Sequence, residues 1–257
     1  MSLQSNIEWT DATWNPVTGC TEVSPGCDHC YAKTFAERWR GIPGHPYEQG
    51  FDLRLWPERL ALPLKWKTPR RIFTNSMSDL LHKDVPDEFI LQVFEIMARA
   101  DWHIFQVLTK RPARLVHLVD KITDRIGNFM TTSTTWPSNI WLGVSIETIQ
   151  YQWRSEKLRQ VPAAVRFVSA EPLLESLIAL DLQDIDWLIA GGESGHHHRA
   201  CHAEWVRELR DKCIEHNVAF FFKQWGGHNP KTKGRELDSR TWNEFPSSAS
   251  HTALAAD

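Results

Sequence analysis

Three of the chain's five cysteines, Cys20, Cys27 and Cys30, fall within eleven residues in the spacing C-x6-C-x2-C. Asn15-Pro16, Gly19 and Pro25-Gly26 bend the backbone around them, as it must bend if three thiolates are to converge on one centre. A run with helical spacing follows at once, Tyr31 to Arg40, with Tyr31, Phe35 and Trp39 four residues apart. Its N-terminus would point N–H groups and a positive dipole end at the cysteine loop, which favours thiolate over thiol. Two kinds of centre suit such a trio. A structural zinc closes with four ligands, so His29 or a distant histidine would have to complete it. A four-iron cluster takes one thiolate per iron and leaves one iron open to a substrate or cofactor. Spacing alone does not choose between them.

Other side chains carry possible chemistry. Glu147, Glu171 and Glu193 each follow a short apolar run and are candidate catalytic carboxylates, able to bind a ribose or substrate or to move protons. Their bland role is as buried partners of Lys110, Arg111 or Lys223. Asp79 is a weaker candidate of the same kind, since it could equally cap a turn. The tract His196-His197-His198-Arg199-Ala200-Cys201-His202 has the composition of a metal site, the basis for an alternative reading as a metal-dependent hydrolase. Consecutive side chains cannot all face one ion, however, and a solvated loop is the expectation. Lys65-Trp66-Lys67-Thr68-Pro69-Arg70-Arg71 and Lys231-Thr232-Lys233-Gly234-Arg235 could grip a nucleic-acid strand by stacking and phosphate contact. Together with a zinc-closed trio they give a second alternative, a nucleic-acid-binding module without catalysis. Trp9, Trp14 and Trp225 sit beside polar motifs and are expected to line a cleft, whereas Trp141, Trp187 and Trp205 lie in apolar runs and should pack. Cys213 lies on a helix's apolar stripe, a core position.

The elements that must position these groups show a regular rhythm. Residues 7–14 predict a first strand running into the cysteine loop. After a Pro- and Gly-rich excursion over 41–70, Arg71–Thr74 reads as a strand ending in Asn75-Ser76-Met77-Ser78-Asp79. Pro86 starts a helix with Phe89, Ile90, Val93, Phe94 and Met97 on one face. His103–Leu108 ends in Thr109-Lys110-Arg111-Pro112, followed by a helix carrying Leu115, Leu118, Val119 and Ile122. A Thr/Ser-rich loop over 131–138 leads to Ile140–Val144, which ends in Ser145-Ile146-Glu147, with a helix over roughly 149–160. Val165–Val168 ends in Ser169-Ala170-Glu171-Pro172, and Trp187–Ala190 in Gly191-Gly192-Glu193-Ser194-Gly195. A helix over 203–216 and a last strand, Val218–Phe222, complete the series. Strands alternating with helices predict a parallel sheet, with sites at the C-terminal strand ends. About seven strands, without a glycine-rich nucleotide loop, predict an α/β fold of partial or complete TIM-like (βα) barrel type.

The chain of 257 residues is long enough for one such domain, placed at 1–245 with the cysteine loop at 15–32 and a disordered tail at 246–257. A net charge of −3 gives no whole-molecule attraction to nucleic acid. No apolar run approaches a membrane span, and the N-terminus lacks a signal-peptide pattern. An odd cysteine count with a tight trio argues against a disulfide framework. A reducing cytoplasm is the expected location.

A cysteine trio after the first strand of a parallel barrel, with a helix behind it, resembles the radical S-adenosylmethionine superfamily. Asn15-Pro16 with Gly19-Cys20, Cys27-Asp28-His29-Cys30-Tyr31-Ala32, Leu108-Thr109-Lys110-Arg111-Pro112, Ser169-Ala170-Glu171-Pro172-Leu173-Leu174 and Gly191-Gly192-Glu193-Ser194-Gly195 carry the likeness further. Together they look like a three-cysteine family common in phages and prophages, usually labelled a phage protein of unknown function. Lys223-Gln224-Trp225-Gly226 and Gly234-Arg235-Glu236-Leu237-Asp238 also fit, so the likeness spans about residues 7–246. By motif layout the chain is similar to the spore photoproduct lyase type of DNA-repair enzyme. That resemblance implies a [4Fe-4S] cluster on Cys20, Cys27 and Cys30, with S-adenosylmethionine on the fourth iron cleaved to a 5′-deoxyadenosyl radical. It also implies repair or modification of nucleic acid or a nucleotide, and an electron donor such as flavodoxin or ferredoxin. Ser76, Lys110 and Ser145 match the residues that hold the methionine moiety, with Asn75 and Tyr31 beside them as further cofactor-binding candidates. The first cysteine gap is six residues where the superfamily usually has three, and His29 replaces the usual aromatic before the third cysteine. Asn75 stands where the lyase has its hydrogen-donor cysteine, so the resemblance does not extend to thymine-dimer repair by the same route.

Overall fold

The computed structural model describes residues 4–127, 129, 136–229 and 234–247. Seven of the apolar runs become parallel strands of one sheet: β1 (Ala12–Trp14), β2 (Arg71–Thr74), β3 (Ile104–Thr109), β4 (Ile140–Ser145), β5 (Arg166–Ala170), β6 (Trp187–Gly191) and β7 (Ala219–Gln224). Their order across the sheet is their order in the chain, with β1 and β7 at the two edges. Every neighbouring pair is parallel. β4 and β6 are buried along their whole length, because helices cover one face and aromatic side chains fill the other.

The strand period of two sorts side chains between these faces. Phe73, Phe167, Ile189 and Phe221 point into an inner cluster, while their neighbours Ile72, Val168, Leu188 and Phe220 join the core beneath the helices. The inner cluster also shows that the sheet curls. Trp9, just before β1, lies 4.6 Å from the Phe73 ring on β2, 6.4 Å from Phe167 on β5 and 6.1 Å from Trp187 on β6. In a flat sheet β1 and β6 would stand roughly 24 Å apart, at about 4.8 Å per strand. The architecture is therefore a partial barrel of seven parallel strands. Gly143 on β4 is required by this filling, since a Cβ there would lie 2.3 Å from the Phe167 ring.

The covering helices are α1 (Tyr31–Glu37), α2 (Leu62–Lys65), α3 (Asp87–Arg99), α4 (Pro112–Gly127), α5 (Trp153–Leu158) and α6 (Ala203–Glu215). α3 buries Phe89, Ile90, Val93, Phe94 and Met97, the stripe its sequence spacing predicts, and Asp87 and Glu88 in its first turn complement the helix dipole. α4 buries Leu115, Leu118 and Ile122, and α6 buries Leu209 and Cys213.

Several expected boundaries move. The first strand is confined to Ala12–Trp14, because a turn closed by Thr10 N–H on the Ile7 carbonyl (3.2 Å) swings Trp9 into the barrel. α1 stops at Glu37, and the aromatic side chains at its four-residue spacing stay largely exposed: Phe35 and Trp39 face outward and Tyr31 borders the strand-tip cavity, while Ala32 and Ala36 make the packed face. The helix expected over 149–160 is a 3-10 turn at Ile149–Tyr151 followed by the short α5. The basic run Lys65–Arg71 leads into the N-terminal end of β2, the opposite end of the sheet from the strand tips, so it cannot line a site at those tips. Residues 131–135 of the Thr/Ser-rich loop, Lys231 to Lys233 of the second basic run, and the expected tail from 248 onward lie outside the described residues.

Candidate active site

The loop after β1 crosses the C-terminal tips of the other strands and is held by groups at the tips of β2, β3, β4 and β6. Asn15 Oδ1 accepts from Met77 N–H (3.0 Å), and its amide donates to Ser76 Oγ (3.1 Å), which pins the loop to the tip of β2. Asn75 takes the left-handed conformation (φ 65°), one that Asn tolerates, and donates from Nδ2 to Ser78 Oγ (2.5 Å). Gly19 (φ 83°) passes so close to the 51–52 segment that a Cβ would lie 2.2 Å from the Asp52 carbonyl oxygen. From β3, Arg111 Nη1 reaches Cys20 Sγ (3.4 Å) and Asp79 (2.9 Å), and Nη2 donates to the Thr21 carbonyl (2.8 Å).

Past β4, Ser24 donates to Glu147 Oε1 (2.8 Å), and Gly26 lies directly over that carboxylate. A Cβ on Gly26 would sit 2.4 Å from Glu147 Cγ. Glu147 is fully buried, paired with Lys110 and with Arg154 (2.9 Å). From the β6 tip, Glu193 meets His29 Nδ1 (3.0 Å). Arg199 grips Glu193 (2.5 Å), the Pro25 carbonyl (2.7 Å) and Asp28 (3.2 Å). The six-residue gap between Cys20 and Cys27 is thus held at three points, by groups from β3, β4 and β6.

The loop and the strand tips enclose a cavity of about 690 Å³. Cys20, Cys27 and Cys30 line it, together with Asn75, Ser76 and Tyr31. Lys110, Ser145, Glu171 and Glu193 line it as well. Of the cysteine, cofactor-binding and catalytic-carboxylate candidates from sequence, Glu147 alone stays out of the lining, walled off behind Gly26 and Ser24. Trp9 and Phe73 lie at the cavity's inner end. Tyr31 donates its hydroxyl to the Ser76 carbonyl (2.5 Å), and Lys223 pairs with Glu171 (2.5 Å). Trp14 and Trp225, expected at the cleft, do not reach it. The Trp14 indole packs under the helices and donates to the Arg59 carbonyl (2.8 Å), and Trp225 donates to that of Glu236 (3.0 Å).

The electrostatics are those of a site built around sulfur. Burial pushes the Cys20 thiol up to about 11, with the Asp79 carboxylate adding to the rise and Arg111 opposing it. Burial also raises Cys30, against backbone N–H groups of Lys33 and Ala32 that favour its thiolate. Metal binding to such thiols expels protons. Burial alone would raise Glu193, but hydrogen bonds from Arg199 and His29 outweigh it and hold the carboxyl at about 2. Cys20, Cys27, Cys30 and Cys213 are free thiols.

Among the described residues no three His, Cys, Asp or Glu side chains gather tightly enough for a single metal ion. In the histidine tract, His198 turns to the Gly195 carbonyl (2.9 Å), His196 packs on His228 and His197 faces His29. Three free thiols around one cavity fit a cluster, which takes one thiolate per iron. Asn75 Oδ1, buried and without a hydrogen-bond partner, adds an unused acceptor on the cavity wall. Sequence reasoning missed Ser24, Arg154 and the clamp by Arg199. Arg154 gave no signal in its helical segment, whereas Arg199 was present in the histidine tract as an unassigned cation.

Comparison with known proteins bears on this arrangement. Residues 4–246 match the family described as protein of unknown function (DUF5131), and the chain belongs to that family. A search of curated proteins finds no match. Among solved structures, a cysteine-to-serine variant of spore photoproduct lyase superposes with a TM-score of 0.51 at 13% identity, over 82% of this chain and 75% of that one. A tyrosine-to-phenylalanine variant of the lyase gives 0.51 at 11% identity, over 81% and 75%. A third form, with bound AdoMet and dinucleoside spore photoproduct, gives 0.47 at 14% identity. Of that form the chain spans 61% of the length, against 79% of its own. At these identities the likeness is one of fold: the partial barrel of parallel strands is shared with spore photoproduct lyase.

Proposed function

We propose that this protein is a radical S-adenosylmethionine enzyme with a [4Fe-4S] cluster on Cys20, Cys27 and Cys30, acting on a nucleotide or nucleic acid. The observation that carries the reading is the convergence of the three cysteines with Ser76, Lys110 and Ser145 on one cavity at the strand tips. These residues come from four separate strand ends, and the resemblance to the spore photoproduct lyase type implies one cofactor for them. When bound, the cluster and cofactor supply a 5′-deoxyadenosyl radical, formed by one-electron cleavage of the sulfonium.

The protein's own side chains bind, orient and shield. The Lys110 ammonium suits the cofactor's carboxylate, and Glu147 behind it pairs with the ammonium and so directs it along the cavity wall. The Ser76 and Ser145 hydroxyls suit its amino group. Tyr31, donating to the Ser76 carbonyl, fixes the β2 tip against α1. Asn75 Oδ1 is free to accept from the same bound cofactor. Trp9 and Phe73 close the inner end of the cavity, keep water from the reacting carbon and offer faces to a base. Glu171 with Lys223, and Glu193 with Arg199, stand on the far wall where the ribose or substrate would lie. In this reading Glu147 acts through Lys110 and the cysteine loop, while Glu171 and Glu193 are the carboxylates within reach of ligands. A small electron-transfer protein such as flavodoxin or ferredoxin would reduce the cluster.

The test is anaerobic reconstitution with iron and sulfide. The expected product is a brown protein with about four iron and four sulfide per chain. It should release 5′-deoxyadenosine from S-adenosylmethionine under dithionite. Cys20→Ala, Cys27→Ala and Cys30→Ala should each abolish both. A colourless protein holding one tight zinc, lost on Cys20→Ala, would refute the proposal.

A further inference from the structure

The three cysteines do not share one environment. Cys27 Sγ has a hydroxyl nearby, Ser24 Oγ at 3.8 Å, and Cys30 has backbone N–H groups at the start of α1. Of the three, Cys20 has a cation hydrogen-bonded to its sulfur, Arg111 Nη1 at 3.4 Å. That guanidinium is rigidly placed. Nη1 also donates to Asp79 Oδ2 (2.9 Å), and Nη2 donates to the Thr21 carbonyl (2.8 Å) and hydroxyl (3.1 Å). Asp79 is fixed in turn by Leu81 N–H (3.0 Å), the Thr109 hydroxyl (2.8 Å) and Lys110 N–H (3.0 Å). The Arg111 and Asp79 side chains are 13% and 8% exposed, so their charges act on the sulfur with little screening by water. Thr21 is the first residue of the long gap, so one side chain meets both the ligand and the loop that carries it.

We propose that Arg111, held by Asp79, positions Cys20 and sets the reduction potential of the cysteine-bound cluster. The proposal rests on the cluster reading above. A fixed positive charge and an N–H···S bond both favour the form of a cluster that holds the extra electron, whereas the Asp79 carboxylate favours the oxidised form. The two residues therefore act with opposite sign on one sulfur, a pattern that a purely structural role would not produce.

The experiment is an anaerobic redox titration followed by electron paramagnetic resonance on reconstituted wild type, Arg111→Gln, Arg111→Lys and Asp79→Asn. Arg111→Gln should lower the ratio of reduced to oxidised cluster at fixed ambient potential about tenfold, equivalent to about 59 mV for one electron. Arg111→Lys keeps the charge and should lie nearer wild type, and Asp79→Asn should raise the ratio. Should Arg111→Gln assemble no cluster, Asp79→Asn decides alone: a raised ratio supports the proposal and an unchanged or lowered one overturns it. A wild-type cluster whose ratio ignores both substitutions, or moves the same way in both, overturns this inference alone. A wild-type protein that takes up no iron and sulfide overturns the cluster reading and this inference with it.

Discussion

Replacing Glu147 by Gln tests the buried charge cluster behind the cysteine loop. Glu147 is 0% exposed and Arg154 1%, and their contact is 2.9 Å. In Glu147→Gln the Arg154 guanidinium keeps the Ser145 carbonyl (2.7 Å) and the Tyr151 ring (4.2 Å to the centroid) but loses its counter-charge. Removing one partner of a buried pair costs about 3–5 kcal/mol. Lys110 is 19% exposed and can turn toward water, so it adds little. At about 2–4 °C per kcal/mol for a chain of this size, the melting temperature should fall by about 6–20 °C. The assay is thermal unfolding of the cofactor-free protein by circular dichroism, with urea unfolding as a second measure. Glu171→Gln is the comparison. Its Lys223 pair is 19% and 15% exposed, and its loss should cost about 1 kcal/mol. In the double variant Glu147→Gln/Arg154→Met no unpaired buried cation remains, so the total loss should fall short of the sum of the singles by about 1–3 kcal/mol. If Glu147→Gln proves no more destabilising than Glu171→Gln, the argument from buried charge is wrong.

Three further outcomes are expected. The Glu193 carboxyl lies at about 2 in the folded protein against an ordinary 4.5, so its stabilisation is full above about pH 4.5 and is lost as pH falls toward 2. At about 1.4 kcal/mol per pH unit this amounts to about 3 kcal/mol. Urea midpoints at pH 7 and pH 3 should therefore differ less in Glu193→Gln than in wild type, and equal differences would refute the assignment. Gly26→Ala should keep the wild-type circular dichroism spectrum but lose most iron uptake on reconstitution, because its Cβ would strike Glu147 at 2.4 Å and lift the loop. Normal iron content in that variant would show that the loop has room to spare. Cys213→Ala, in the α6 core, should lower stability by about 1–2 kcal/mol with full iron content. Cys20→Ala should do the reverse, and iron analysis beside urea unfolding separates the two.

The strand–helix rhythm, the cysteine trio and the polar strand ends were legible from sequence because each is written locally. Short apolar runs ending in polar clusters mark the strands, and the stripe from Phe89 to Met97 marks α3. A cysteine pattern with turn residues is likewise confined to one loop. Parallel order then puts every strand tip at one end, which is why most of the predicted site side chains share one cavity. What sequence could not supply is which tip residue meets which. Ser24 and Glu147 are 123 residues apart, and His29 and Glu193 are 164 apart. Only the curl of the sheet brings them together, and it leaves Glu147 behind the loop instead of in the cavity. The tryptophans make the same point: a single turn sends Trp9 inward, while strand parity sends Trp14 under the helices. Local periodicity names the elements, but the face a residue occupies and the partner it meets depend on pairings across the whole chain.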